Sequence, residues 1–164
     1  MSFDDLIADL ESQMLAAERG EHRSLVRDMR DAELAQVRLS ERLRAACGSR
    51  VVVTVMSGLV IEGHLARCGE GWVQVDAVAT SYLVPHAAIR CLSGLRGAQS
   101  KNGLQLKLTV ALRALRGRRI RCLTEGPSWV GRLREVGADW IELCEEGSGA
   151  TLTIALSGLE AVVF

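Results

Sequence analysis

The residues of this sequence that could do chemistry are few and widely spaced. The chain has 3 His and 5 Cys in 164 residues, and no two cysteines form a CxxC pair. It contains no HExxH, no GxSxG, no lysine-bearing phosphate loop and no dinucleotide-binding glycine fingerprint. The cysteines stand beside apolar residues, which is typical of small hydrophobes rather than ligands. We therefore expect no enzyme activity, no metal and no cofactor.

One group of charges could bind a partner. It consists of five arginines, namely Arg113, Arg116, Arg118, Arg119 and Arg121. Such a cluster can contact nucleic-acid phosphates, chiefly through electrostatic attraction. Alternatively, the cations lie at a helix C-terminus and pair with acids of 1–47 or 139–146. The second interpretation is favoured, since 20 basic and 20 acidic residues leave no net charge to attract a polyanion.

An internal repeat predicts the elements that position these residues. Residues 63–75 and 131–143 share glycine, leucine and tryptophan positions at one constant offset. The matched pairs are Gly58/Gly126, Gly63/Gly131, Leu65/Leu133 and Trp72/Trp140. Upstream, 39–48 matches 108–117 in a similar way. These matches indicate a duplicated segment.

Each copy has the pattern of a short helix followed by short strands. Residues 37–47 and 106–116 carry helical apolar spacing with a glycine directly after it. Four to five β-branched runs follow in each copy, separated by glycines, as is typical of a small barrel or sandwich. The tryptophans Trp72 and Trp140 are predicted to fill the core of their copies.

A helix followed by five bent strands resembles the Sm-like fold, an SH3-type small barrel. The resemblance rests on Gly48/Gly117, Gly58/Gly126, Gly63–Leu65 and Gly131–Leu133. Tandem copies behind an acidic helical segment also resemble uncharacterised proteins of high-GC Gram-positive bacteria. The resemblance implies an α+β, mainly β fold with four parts. These are a helical arm (1–36), a barrel with a leading helix (37–95), a linker (96–105) and a second barrel with a leading helix (106–164).

Sm-like proteins usually bind RNA through a Met-Asn pair and an Arg-Gly pair. In this sequence the Met-Asn position falls on Trp72–Val73 and on Trp140–Ile141. The Arg-Gly position falls on Pro85–His86 and on Ala155–Leu156. Neither copy keeps the residues that would read a base, so the resemblance does not extend to the RNA pocket.

The first residues carry an apolar stripe with the spacing of a coiled coil. Phe3, Ile7, Leu10 and Met14 are separated by steps of four and three residues, as in a heptad seam. A second stripe follows, and the register changes near Gly20. The segment is therefore either one long helix with an irregularity or a two-helix hairpin. Its stripe is expected to pack on the barrels, on a second copy or on a partner helix.

Composition and pattern together predict a cytoplasmic interaction protein. No apolar run reaches the roughly 20 residues of a membrane span, and the acidic start differs from a secretory signal. We expect a non-enzymatic protein-protein interaction or scaffold protein, forming a homo-oligomer or binding a protein partner through the arm and the barrel edges. The alternative is a nucleic-acid-binding regulator that uses the arginines of 113–121. No small-molecule substrate is indicated.

Overall fold

The computed structural model describes residues 26–27, 29–32, 34–96 and 105–164. The chain divides into two compact units, Met1–Arg38 and Leu39–Phe164. In the first unit, the described residues between 26 and 34 are helical and exposed. Most of the predicted arm and of the predicted linker lies outside the described residues.

Within the described residues, the second unit consists of two short α-helices, two 3₁₀ turns (His86–Ala88 and Leu156–Gly158) and ten strands. The helices are α1 (Leu39–Ala45) and α2 (Leu108–Arg113). The strands are β1 (Arg50–Val55), β2 (Val60–Gly69), β3 (Trp72–Asp76), β4 (Ser81–Pro85), β5 (Ile89–Ser93), β6 (Arg119–Thr124), β7 (Trp129–Val136), β8 (Trp140–Glu145), β9 (Thr151–Ala155) and β10 (Leu159–Val163). We call α1 to β5 the first half and α2 to β10 the second half.

The ten strands form one open antiparallel sheet. Its order is β5-β1-β2-β3-β4-β10-β6-β7-β8-β9, so β5 and β9 are the end strands. The fold is mainly β, but the prediction of two separate helix-plus-five-strand barrels, over 37–95 and 106–164, is wrong. The halves join because an outer strand with unpaired backbone groups is stabilised by a matching strand, and here β4 pairs with β10.

The β4–β10 junction is short and regular. Val162 lies opposite Leu83 and Val163 lies opposite Tyr82. Just beyond β10, Phe164 exchanges two backbone hydrogen bonds of 3.0 Å with Ser81. The backbone hydrogen bonds of the junction therefore join the strands of the first half directly to those of the second half in one sheet.

A glycine with positive φ ends the helical region of each half. Gly48 follows α1 with a φ of +90°, a conformation that favours glycine, and its N–H donates to Leu65 O at 2.8 Å. Gly117 follows α2 with a φ of +76° and donates to Leu133 O at 2.8 Å. Each helix end is thus fixed to the second strand of its own half.

The buried side chains form two clusters that both cross the junction. Trp72 and Leu83 of the first half belong to the cluster built mainly by the second half. Ala161 of β10 belongs to the cluster built mainly by the first half, with Val51, Val53 and others. Each half therefore contributes buried side chains to the cluster built mainly by the other half, so the two halves share their hydrophobic core.

Candidate interaction surface

A buried carboxylate links the two halves beside the junction. Glu160 of β10 is 5% exposed and accepts a hydrogen bond of 2.7 Å from the Ser57 backbone N–H. The Ser57 hydroxyl donates a second hydrogen bond to the same carboxylate. A buried charge needs such donors, since desolvation without them is costly. The two bonds therefore hold the β1–β2 turn, which contains Ser57, against β10.

The two predicted core tryptophans lie in different environments. Trp72 is 4% exposed, and its Nε1–H donates to Leu106 O at 2.7 Å. Trp140, at the matching position of the second half, is 36% exposed. It lines a shallow cavity of about 310 Å³ with Thr153 and Ala155 of the end strand β9. The core prediction is confirmed for Trp72 and wrong for Trp140.

The local backbone around both tryptophans is the same. A side chain placed on Gly69 would collide with the Trp72 ring, and one placed on Gly137 would collide with the Trp140 ring. Each indole thus lies over a glycine of the preceding strand or turn. The Gly69 site also contacts Leu106 O. The difference in burial therefore comes from the segment before α2, whose Leu106 O accepts the Trp72 Nε1–H.

One end of the sheet is formed by β9. Among the described strands, β9 pairs only with β8. Backbone hydrogen bonds flank this pairing, from Glu145 N to Ala150 O and from Leu156 N to Asp139 O, each 2.8 Å long. Because hydrogen bonding alternates along an antiparallel strand, Thr153 directs its N–H and C=O away from β8. Within the described residues, the outward backbone groups of Thr153 therefore have no partner strand.

The other end of the sheet is formed by β5. Among the described strands, β5 pairs only with β1, where Leu92 lies opposite Val53. Near the start of the same half, Leu39 of α1 is 44% exposed. Its counterpart in α2, Leu108, packs against the cluster that contains Trp72. Apolar surface is thus left open in the half that carries β5 as well.

Two of the predicted arginines are paired with carboxylates of the second half. Arg116 forms an ion pair of 2.6 Å with Glu135, and Arg119 forms one of 2.7 Å with Glu146. The hydrogen bond from Arg119 lowers the pKa of the Glu146 carboxyl. These pairs are exposed, so they contribute little to stability. They do, however, hold both guanidinium groups against carboxylates of the same chain.

The other three arginines have different surroundings. The Arg118 guanidinium lies 5.5 Å from the centre of the Phe164 ring. Arg113 is the last residue of α2, and Arg121 lies in β6 opposite Val163. Arg119 pairs with Glu146, an acid of the predicted range 139–146, whereas Glu135, the partner of Arg116, lies outside both predicted ranges. The nucleic-acid interpretation stays a prediction.

A larger cavity lies beside the junction. Its volume is about 510 Å³, and it is lined by side chains of both halves, including Gln74, Leu83, Arg118 and Phe164. We interpret it as space left between the two halves.

The predicted partner-binding residues of the arm, Phe3, Ile7, Leu10 and Met14, lie outside the described residues. In the part of the chain that is described, no helix has the length and apolar character that a membrane crossing requires. The same part contains no cluster of three or more potential metal ligands.

The sequence matches no protein-family model and no curated protein. The predicted resemblance to Sm-like proteins therefore stays a prediction.

Proposed function

We propose that the protein is a non-enzymatic scaffold that self-associates by adding β5 of one copy to β9 of the next. The observation that carries this proposal is the pairing of β4 with β10 inside the chain. That pairing joins the fourth strand of one half to the fifth strand of the other. The open ends of the sheet are a fifth strand, β5, and a fourth strand, β9.

The repeat makes the open edges counterparts of the strands already paired. β4 and β9 each have five residues and follow an antiparallel partner, β3 or β8. β5 and β10 each have five residues and follow a short 3₁₀ turn. An end-to-end contact of this kind uses two different surfaces, so it forms a closed ring or a filament.

The register of this contact follows from the junction. Val162 lies opposite Leu83 between β10 and β4. Val162 corresponds to Leu92 of β5, and Leu83 corresponds to Thr153 of β9. We therefore expect Leu92 of one copy to lie opposite Thr153 of the next.

The exposed apolar residues at the two ends support the same contact. Trp72 is covered by the segment before α2, whereas its counterpart Trp140 is 36% exposed. A second copy that added β5 to β9 would bring its own α1, with the exposed Leu39, toward Trp140. Burial of both side chains would favour association through the hydrophobic effect.

Proline at the β9 edge tests the proposal. Thr153→Pro removes an N–H that points away from β8, so it blocks strand addition without removing a β8–β9 hydrogen bond. Thr153→Val is the matched control, because it keeps the N–H and the β-branched shape. We expect Thr153→Pro to weaken self-association at least about tenfold in sedimentation velocity. Equal association of wild type, Thr153→Pro and Thr153→Val, or a wild type that stays monomeric, would contradict the proposal.

The arm and the location belong to the same proposal. The heptad stripe of Phe3, Ile7, Leu10 and Met14 is proposed as a second contact, through a coiled coil or a partner helix. A cytoplasmic location is proposed on the basis of the sequence pattern. Deletion of residues 1–25 should leave the β5–β9 contact intact if the two contacts are independent.

A further inference from the structure

Two cysteine sulfurs lie close together at the end of α1. Cys47 follows the helix, Cys68 lies in β2, and their Sγ atoms are 3.4 Å apart. Two backbone hydrogen bonds hold this region together, from Gly48 N to Leu65 O (2.8 Å) and from Leu65 N to Ser49 O (2.9 Å). The approach of the two sulfurs is therefore fixed by the backbone on both sides.

We propose that Cys47 and Cys68 are a modification site, which a peroxide converts into an intramolecular disulfide. An S–S bond measures about 2.05 Å, so the two sulfurs must approach by roughly 1.4 Å, a movement that small side-chain rotations supply. Both residues are partly exposed free cysteines, so a small oxidant can reach them. This inference rests on the sulfur geometry and is independent of the proposed self-association.

The reaction balances with hydrogen peroxide as the oxidant. The Cys47 sulfur attacks one peroxide oxygen, the O–O bond breaks, an S–O bond forms and one water leaves. The Cys68 sulfur then attacks the Cys47 sulfur, the S–S bond forms, the S–O bond breaks and a second water leaves. The two sulfurs together lose two electrons and two protons, and the peroxide accepts them.

The environment of Cys68 suggests the order of these steps. Burial raises the pKa of the Cys68 thiol, and the neighbouring Cys47 raises it further. Since the thiolate is the nucleophile, Cys68 is slow to react with peroxide directly. Its attack on the oxidised sulfur of Cys47 is slowed by the same high pKa, but that step is intramolecular and begins with the two sulfurs only 3.4 Å apart.

The remaining cysteines do not offer a second pair. Cys122 is buried, Cys91 is exposed and Cys144 is partly exposed. Among the described residues, no other pair of cysteine sulfurs lies within hydrogen-bonding distance. Cys91 therefore serves as the control for general thiol oxidation.

The test is peroxide titration of the full chain, followed by mass spectrometry of a non-reduced digest. We expect the wild type and Cys91→Ser to lose two hydrogens and to give a linked peptide that joins Cys47 to Cys68. Cys47→Ser and Cys68→Ser cannot form that link, and we expect them to give at least about tenfold less intramolecular disulfide in total than the wild type. Circular dichroism under reducing conditions identifies a variant that does not fold, and alanine then replaces serine at that position.

Three results would overturn the inference. The first is linkage through other cysteines in the wild type. The second is separate oxidation of Cys47 and Cys68 to sulfinic acids. The third is no reaction of either sulfur at peroxide levels that oxidise the exposed Cys91.

Discussion

Truncation of Trp140 should weaken self-association by a calculable amount. Trp140 is 36% exposed, and its covered counterpart Trp72 is 4% exposed. The difference is about a third of a tryptophan surface, roughly 80 Å². At about 25 cal/mol per Å² this is worth about 2 kcal/mol, so Trp140→Ala should raise the dissociation constant of each contact about 30-fold.

Sedimentation velocity over a concentration series measures this constant directly. Val78→Ala is a suitable control, because Val78 is fully exposed but lies in the β3–β4 turn, away from both end strands. Val78→Ala should associate as the wild type does. If Trp140→Ala folds normally and associates as tightly as Val78→Ala, then Trp140 is not covered in the assembly and the reasoning from Trp72 fails.

Three further predictions concern stability. Ser57→Ala removes one hydrogen bond to buried Glu160 and should lower the free energy of unfolding by about 1–2 kcal/mol in urea. Burial lowers the pKa of His86 below its ordinary value of 6.5. The unfolded chain therefore binds a proton at His86 at a higher pH than the folded chain does. As a result, the free energy of unfolding falls as the pH drops below about 6.5. The substitution His86→Gln should make this fall smaller. A disulfide between Cys47 and Cys68 should raise the free energy of unfolding by about 3 kcal/mol and the melting temperature by roughly 10 °C.

Each stability prediction has a control or a result that would contradict it. Ser148→Ala removes two hydrogen bonds in an exposed turn, one donated to Glu145 and one accepted from the Ala150 N–H, and should change stability by less than about 0.5 kcal/mol. A cost for Ser57→Ala as small as this would contradict the role given to Glu160. For His86→Gln, a fall in stability below about pH 6.5 as large as that of the wild type would contradict the role given to His86. An oxidised chain that melts no higher than the reduced chain would show that the disulfide strains the fold.

The sequence predicted the parts of the fold that depend on neighbouring residues. Gly48 and Gly117 end the helices as expected, because a positive φ after a helix favours glycine wherever the chain lies. The strands also lie at the predicted β-branched runs, as in β1, where Val51, Val53 and Val55 alternate inward.

The contact between the halves could not be predicted in the same way. Strand pairing across the junction brings together residues far apart in the chain, and the alternating pattern of a strand does not specify its partner. Ser57 and Glu160 illustrate this, since they lie 103 positions apart. Glu160 is the single charged residue in an otherwise apolar β10. This pattern indicates that the carboxyl group needs a buried hydrogen-bond donor, but it does not identify Ser57 as that donor.

The burial of the two tryptophans could not be predicted either, because it also depends on which strands pair. Trp72 and Trp140 have similar local sequences and both lie over a glycine. They differ in the strand order around them, because β4, the neighbour of Trp72's strand β3, pairs with β10, whereas β9, the neighbour of Trp140's strand β8, is an end strand. The Cys47–Cys68 contact was missed for a related reason, because a separation of 21 positions matches no cysteine motif and the fold alone brings the sulfurs together.

A disulfide cross-link between copies tests the central claim most directly. In a background where Cys91 is serine, one chain would carry Leu92→Cys and a second chain Thr153→Cys. The account predicts rapid oxidation of the mixture to a dimer of one chain of each kind, because this pair matches Val162 and Leu83 in the junction. No such mixed dimer, or dimers that form equally well within each chain type alone, would contradict the addition of β5 to β9.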